Sequence, residues 1–141
     1  MRTLAPEAFH PVIRVIARAY FRIRLESAEP IPPQGPLIIA PNHVTYADPA
    51  LVVLAFRRPV YFMAWSRLFE IPLFGSLIRY LRAFPVEVDN ADPVATREAV
   101  RLLEAGCALM IFPEAGLTRD GRLQPFRLGM FRLATAHRIP I

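Results

Sequence analysis

The chain has 141 residues, a length typical of one domain, and its composition is that of a folded, basic protein. Hydrophobic residues make up 54% and charged residues 21%, which excludes intrinsic disorder. All seventeen basic residues are arginine, and with twelve acidic residues they give a net charge of +5, which favours an anionic partner. The arginines form no dense basic run, so nucleic acid is not expected as a partner, and the single cysteine excludes an internal disulfide.

Residues 1–23 predict an N-terminal amphipathic helix. Arg14, Arg18 and Arg22 recur every four residues and therefore lie on one helical face, opposite apolar and aromatic residues. Such a helix either lies on an anionic membrane surface or packs its apolar side on the domain, and both alternatives stay open here. No run approaches the roughly eighteen apolar residues of a transmembrane helix.

Residues 24–141 predict an α/β domain with a mixed, largely parallel sheet flanked by helices, because short apolar runs alternate with helical patterns. The predicted strands cover residues 21–26, 37–40, 60–64, 84–88 and 108–112. The predicted helices cover about residues 49–56, 73–82, 92–105 and 127–137. For the third of these helices, Asp92 and Pro93 supply an N-cap and a first-turn proline, and Gly106 supplies the stop.

Residues 42–48, Asn-His-Val-Thr-Tyr-Ala-Asp, lie between a predicted strand and a predicted helix. Histidine suits proton transfer near neutral pH, and a carboxylate partner fixes its tautomer and stabilises the imidazolium. His43 and Asp48 are therefore a candidate catalytic pair, at a strand-to-helix turn where α/β sheets place their chemistry. The alternative is structural, with Asp48 as the N-cap of a helix that has Pro49 in its first turn and His43 as a half-buried loop residue.

A second block follows the last predicted strand, where a Pro113-Glu114 turn leads into a polar loop containing Gly116 and Gly121. Together the two blocks resemble the glycerolipid acyltransferase family, which contains the 1-acylglycerol-3-phosphate O-acyltransferases. The segments between them resemble the family too, in the same order and at similar spacing from about residue 28 to 141, so the joint signal is specific. Residues 138–141 look like the start of the family's next strand, so we expect the domain to be incomplete at its C-terminus.

Three positions depart from the family pattern. Val88 and Leu117 stand where the family usually has arginines, and Ala115 stands where its Phe-Pro-Glu-Gly block has the glycine. The resemblance associates the two arginines with the phosphate of the acceptor, so their absence weakens the case for lysophosphatidic acid. The sequence of residues 114–118, Glu-Ala-Gly-Leu-Thr, is closer to the sequence of this block in relatives that act on other lysophospholipids. A glycine at position 115 allows close approach or a positive φ that alanine resists.

The resemblance implies transfer of a fatty acyl group from acyl-CoA or acyl-carrier protein to a hydroxyl of a lysophospholipid or glycerol-phosphate-type acceptor. This reaction belongs to phospholipid biosynthesis or remodelling, and we expect a peripheral protein on the cytoplasmic face of the membrane. His43 is the expected general base and Asp48 its orienting partner. The expected substrate-binding residues are Asn42, Glu114, Gly116, Thr118 and Arg119. Among them, Arg119 is the expected substitute for the missing phosphate-binding arginines. No cofactor or metal is expected, since His10 and His137 lie far from the motif without ligand spacing.

Three alternatives from other classes stay open at this point. A hydrolase could use the same His–Asp pair to activate water and release free fatty acid. A membrane-associated relative could keep the fold without turnover, and a metal-dependent phosphoesterase could use His43 and Asp48 as ligands.

Overall fold

Four short parallel strands form one sheet in the computed structural model, which describes residues 15, 19, 31–53, 56, 58–118 and 120–141. The strands are β1 (Leu37–Ile39), β2 (Val60–Trp65), β3 (Ala83–Val86) and β4 (Ala108–Met110), in the spatial order β1-β4-β2-β3. Every pairing within the described residues is parallel, so the largely parallel sheet predicted from the sequence is confirmed. The predicted strand at 21–26 and nearly all of the predicted N-terminal helix lie outside the described residues and stay predictions.

Helices cover both faces of this sheet. They are α1 (Asp48–Val53), α2 (Phe74–Tyr80), α3 (Pro93–Glu104) and α4 (Gly129–His137), and a 3-10 helix (Ser66–Glu70) precedes α2. One hydrophobic cluster joins the sheet to α1 and α2, and a second joins it to α3 and α4. Alternate strand residues supply the two clusters, as the two-residue period of a strand requires: Met110 faces the first and Leu109 the second. Within the described residues, no helix is long and apolar enough to cross a bilayer.

Both predicted ends of α3 are confirmed. The Asp92 carboxylate accepts hydrogen bonds from the amides of Val94 and Ala95, both at 2.9 Å, and Pro93 occupies the first turn. After the helix Gly106 has a φ of +76°, and the amides that follow Ala105 bond back to the carbonyls of Leu102 and Leu103. This is the left-handed turn that glycine allows without strain after a helix.

The region between β2 and α2 differs from the sequence prediction. The 3-10 helix was not predicted, because one such turn is too short to produce a periodic pattern. Gly75 packs directly against it, and a Cβ at that position would overlap the backbone carbonyl of Phe69. Immediately before α2, Leu73 has a φ of +64°, a conformation that side chains other than glycine rarely adopt.

The C-terminal residues lie along β1 on the side away from β4. The amide of Ile38 donates to the carbonyl of Pro140 at 3.0 Å, whereas Leu37 and Ile39 bond toward β4. The side chain of Ile139 is buried in the second hydrophobic cluster. Residues 139–141 form no strand of their own and are joined to β1 by this one backbone hydrogen bond.

Candidate active site

The candidate site forms where the loops after two neighbouring strands meet. Ile39 and Met110 are register partners at the ends of β1 and β4, and His43 and Glu114 each lie four residues further along. The amide of His43 donates to Glu114 Oε1 at 3.0 Å, and the amide of Thr118 donates to the His43 carbonyl at 2.8 Å. The two blocks singled out in the sequence therefore form one site at the carboxyl edge of the sheet, where open α/β folds bind ligands.

His43 and Asp48 form the pair that their spacing predicts. The imidazole Nδ1 lies 3.0 Å from Asp48 Oδ2, and only about a tenth of the Asp48 side chain is exposed. The same oxygen accepts hydrogen bonds from the amides of Val44 at 2.7 Å and Thr45 at 2.9 Å. Burial acts to raise the pKa of Asp48, but the bonds from His43, Thr45 and Val44 together outweigh it, and the pKa lies below its ordinary value.

An ionised Asp48 fixes the tautomer of His43. A carboxylate only accepts hydrogen bonds, so the ring nitrogen that faces it, Nδ1, carries the hydrogen. In the neutral imidazole the other nitrogen, Nε2, then has its lone pair available for a proton. This arrangement of base and orienting carboxylate is the one found in serine-hydrolase triads.

The alternative that Asp48 is the N-cap of α1 does not fit its hydrogen bonds. An N-cap side chain accepts from amides further along its own helix, two or three residues later. Asp48 is instead the first residue of α1, and its carboxylate bonds backward to Val44 and Thr45. Its structural role is to fold the 43–48 loop around the histidine rather than to start the helix.

Phe112 holds the histidine ring from one side, a role that the sequence did not indicate. The two ring centroids are 3.9 Å apart and the planes are inclined by 20°, so the rings stack. Phe112 is the second residue after β4, and in the sequence it is the last residue of an apolar run. An aromatic residue at the end of a buried strand gives no functional signal without the partner ring.

Glu114 joins three segments of the site. The residue is 8% exposed, and its two carboxylate oxygens accept from different amides: Oε1 from His43 at 3.0 Å, and Oε2 from Gln124 at 2.9 Å. A buried carboxylate needs such donors to offset its lost hydration. Glu114 thus ties the loops after β1 and β4 to the segment that leads into α4.

The loop between Glu114 and Gln124 is held by its own polar groups. The Thr118 hydroxyl lies 2.7 Å from the carbonyl of Arg122 and 3.1 Å from Asp120 Oδ1. Hydrogen bonds from the Arg122 amide and the Thr118 hydroxyl lower the pKa of Asp120. Ala115, the residue in the family's glycine position, has a φ of +54°, which accounts for the preference for glycine there.

A cleft of about 570 Å³ opens between the loops after β1 and β4. It is lined by Val44, Thr45, Tyr46, Gly116, Leu117 and Thr118. His43 and Asp48 are not lining residues, but they adjoin the cleft through Val44 and through the bond from Thr118 to the His43 carbonyl. The cleft can therefore bring a ligand to the edge of the His–Asp pair.

The predicted substrate-binding residues fall into distinct environments. Asn42 is exposed at the start of the loop, Gly116 and Thr118 line the cleft, and Glu114 is buried among backbone amides. Arg119 lies outside the described residues. Among the residues that are described, no three histidine, cysteine, aspartate or glutamate side chains converge as a metal site would require.

The described chain thus combines a parallel α/β sheet with a His–Asp pair and a buried glutamate at the carboxyl edge of that sheet. The Acyltransferase family model matches residues 22–141, and the chain belongs to this family.

Three relatives illustrate the match. A 1-acyl-sn-glycerol-3-phosphate acyltransferase of Cocos nucifera is 30% identical over 71% of this chain and 33% of its own length. A lyso-ornithine lipid O-acyltransferase of Brucella abortus is 33% identical over 93% of this chain and 48% of its own length. The crystal structure of the 1-acyl-sn-glycerophosphate acyltransferase PlsC of Thermotoga maritima superposes with a TM-score of 0.68 at 25% identity, over 99% of this chain and 58% of that one. The chain thus spans between about a third and three fifths of the length of these proteins.

Proposed function

We propose that this chain transfers a fatty acyl group from a thioester donor, acyl-CoA or acyl-carrier protein, to a hydroxyl of a lysolipid at a membrane surface. The observation that carries the proposal is the 3.0 Å contact between His43 Nδ1 and an Asp48 carboxylate that two backbone amides hold in place. Membership of the Acyltransferase family supports the same reaction class.

The chemistry needs one base and no covalent enzyme intermediate. His43 Nε2 takes the proton of the lysolipid hydroxyl while the hydroxyl oxygen attacks the thioester carbonyl carbon. Asp48 stabilises the imidazolium that forms. The attack forms the new carbon–oxygen bond and gives a tetrahedral intermediate. When this intermediate collapses, the carbonyl is restored as an ester, the carbon–sulfur bond breaks, and the imidazolium gives its proton to the departing thiolate. Asp48 and Phe112 keep the ring orientation fixed during both proton transfers.

Two acceptor classes fit different observations. The relationship to 1-acyl-sn-glycerol-3-phosphate acyltransferases supports a phosphate-bearing lysophospholipid. Val88 and Leu117, which replace the arginines that the family resemblance associates with that phosphate, favour an acceptor of the kind named for the Brucella abortus relative, a lyso-ornithine lipid. We propose the lyso-ornithine class as the second candidate for this reason.

A single assay tests the reaction and separates it from the hydrolase and the non-catalytic alternatives. The chain is incubated with acyl-CoA or acyl-carrier protein and either lysophosphatidic acid or a lyso-ornithine lipid, and both the released thiol and the acylated lipid are quantified. We expect one acylated lipid per thiol released, and the lipid that is acylated identifies the acceptor class. Free fatty acid as the only product would identify a hydrolase, and absence of thiol release with every acceptor would identify a non-catalytic relative.

A further inference from the structure

Arg127 joins two loops at the carboxyl edge of the sheet. Its backbone amide donates to the carbonyl of Pro113 at 2.9 Å, in the loop after β4, and its guanidinium Nη1 donates to the carbonyl of Val88 at 3.3 Å, in the loop after β3. Since β2 lies between β4 and β3, the side chain of Arg127 reaches across the end of β2. The guanidinium therefore lies at the edge of the sheet that also carries His43 and Glu114.

The Arg127 guanidinium has hydrogen-bond donors to spare. A guanidinium carries five N–H donors, and in the described chain this one makes a single hydrogen bond, a long one to an uncharged carbonyl. The residue is exposed, and none of the described carboxylates forms an ion pair with it. Other arginines are used differently, since Arg101 pairs with Glu98 and Arg58 donates to three backbone carbonyls. The remaining donors of Arg127 are thus available to a ligand.

The surroundings of His43 are negative or uncharged. The side chains described in contact with His43 are those of Asp48, Glu114 and Phe112, and the residues that line the cleft carry no charge. An acceptor whose headgroup carries an anionic oxygen group therefore meets negative charge at the base, and it needs a cation within reach. Arg127 is held by its amide to the residue before Glu114, at the same edge of the sheet.

The spacing across the sheet matches the size of an acceptor headgroup. The His43 ring stacks on Phe112, after β4, and the guanidinium is bonded to Val88, after β3, so two strand spacings of about 4.8 Å separate these positions. In a 1-acylglycerol-3-phosphate, four bonds of about 1.5 Å join the free hydroxyl oxygen to phosphorus, and a hydrogen bond of about 2.8 Å follows at each end. A hydroxyl on His43 Nε2 and an anion on Arg127 can therefore belong to one molecule.

We propose that Arg127 binds the anionic oxygen group of the lysolipid acceptor and so positions its hydroxyl at His43. This role of Arg127 rests on the proposed function, because it requires a lysolipid hydroxyl at His43 Nε2. The guanidinium offers paired N–H donors to a phosphate or a carboxylate while Nη1 keeps its bond to Val88. The phosphate of a lysophosphatidic acid and the carboxylate of a lyso-ornithine lipid supply the same chemistry.

Lipid binding in the absence of a thioester donor tests this role, since no acyl group can then be transferred. The probes are a short-chain lysophosphatidic acid and a short-chain lyso-ornithine lipid, each compared with its counterpart without the anion, a monoacylglycerol and the lyso-ornithine carboxamide. Calorimetry gives the Kd of each. Arg127→Gln should weaken binding of at least one anion-bearing lipid by about tenfold or more, and binding of its counterpart by less than about twofold. The lipid that shows the loss identifies the anion as phosphate or carboxylate.

Arg138→Gln is the matched control, because Arg138 is an exposed arginine at the other end of α4 and its loss removes the same charge. It should change each Kd by less than about twofold. Arg127→Lys should keep the fold and recover part of the affinity, since an ammonium retains the charge but not the paired donors. An equal loss in Arg127→Gln for lipids with and without the anion would overturn the proposal and leave Arg127 as a structural link between two loops. Wild-type binding that does not depend on the anion would overturn it too.

Turnover separates this role from the proposed function. In acyl transfer, Arg127→Gln should raise the KM for the lysolipid while kcat stays near that of wild type, because binding of the ground state is lost. Anion-dependent binding without acyl transfer would leave the Arg127 site in place and remove the proposed function. Acyl transfer with the same lysolipid KM in wild type and Arg127→Gln would do the reverse.

Discussion

One oxygen of Asp48 holds both the histidine and the loop that carries it. Oδ2 accepts from the His43 ring and from the amides of Val44 and Thr45, so the proposed catalytic role and the structural role of this carboxylate are combined at one atom. Asparagine keeps an oxygen that these amides can use but has no negative charge to stabilise an imidazolium. The two roles can therefore be separated by one substitution.

We expect Asp48→Asn to turn over at least about a hundredfold more slowly, while its melting temperature falls by only a few degrees. Steady-state acyl transfer and thermal melting of the same preparations give the two numbers. If activity in a series of Asn, Ser and Ala variants simply follows melting temperature, Asp48 has a structural role alone.

The difference in stability between the wild-type protein and Asp48→Asn should depend on pH. The pKa of Asp48 is lowered in the folded state, so its stabilising contribution is complete above its unfolded pKa of about 4 and is lost as pH falls through the lowered value. The difference in free energy of unfolding between wild type and Asp48→Asn should shrink as pH falls from about 5 to below about 4. A difference that grows over this acid range would contradict an ionised Asp48.

Ala115 is a second residue whose conformation makes a direct prediction. Alanine at a φ of +54° is strained, so Ala115→Gly should raise the free energy of unfolding by about 1 kcal/mol. Gly116→Ala is the matched control, because Gly116 has no positive φ and a Cβ there meets nothing within 4 Å. It should be neutral or slightly stabilising in the same denaturant titration. The reverse order of the two variants would mean that the loop does not hold Ala115 in this conformation.

At the scale of elements, Glu114 is the contact that joins the loops after β1 and β4 to the segment before α4. Both of its oxygens receive amide hydrogens, so Glu114→Gln would place an amide NH₂ opposite one of these N–H donors. We expect a loss of about 1–3 kcal/mol of stability and faster hydrogen exchange at the His43 and Gln124 amides. A variant with wild-type exchange at both amides and only a raised KM for the lysolipid would instead make Glu114 a direct acceptor ligand.

The elements that could be predicted are those whose signals are local in sequence. The caps of α3 follow from Asp92, Pro93 and Gly106, and the strands follow from short apolar runs. The contact of Glu114 with His43 joins residues 71 positions apart, and no local pattern indicates it. The family resemblance grouped the two blocks, but only the register of β1 with β4 explains why they meet.

The backward bonding of Asp48 and the exposure of α2 were not predictable for a related reason. An Asp-Pro pair is a frequent helix start, so the sequence alone allows either direction for the carboxylate. An apolar stretch such as residues 68–81 predicts core packing, and Gly75 and Ile78 do pack on the core side. Which leucines remain outside depends on the close approach of α2 to Phe69, which is a tertiary contact.

At the scale of the whole molecule, the strand order β1-β4-β2-β3 places the loops of two neighbouring strands around one cleft. The sequence predicted parallel strands but not their order, because each connection is long enough to reach several positions in a sheet. With β4 beside β1, the His43–Asp48 pair and the stacked Phe112 ring come from the two halves of the described chain. The donor thioester and the lysolipid hydroxyl must meet at this edge for the proposed reaction.

Acyl transfer by His43→Ala tests the central claim most directly. Removing the base should slow the formation of acylated lysolipid by about 10²–10⁴-fold, with the melting temperature near that of wild type. His137→Ala is the matched control, since His137 lies at the end of α4 away from the pair and should leave turnover unchanged. A folded His43→Ala protein that acylates lysolipid at the wild-type rate would contradict the account.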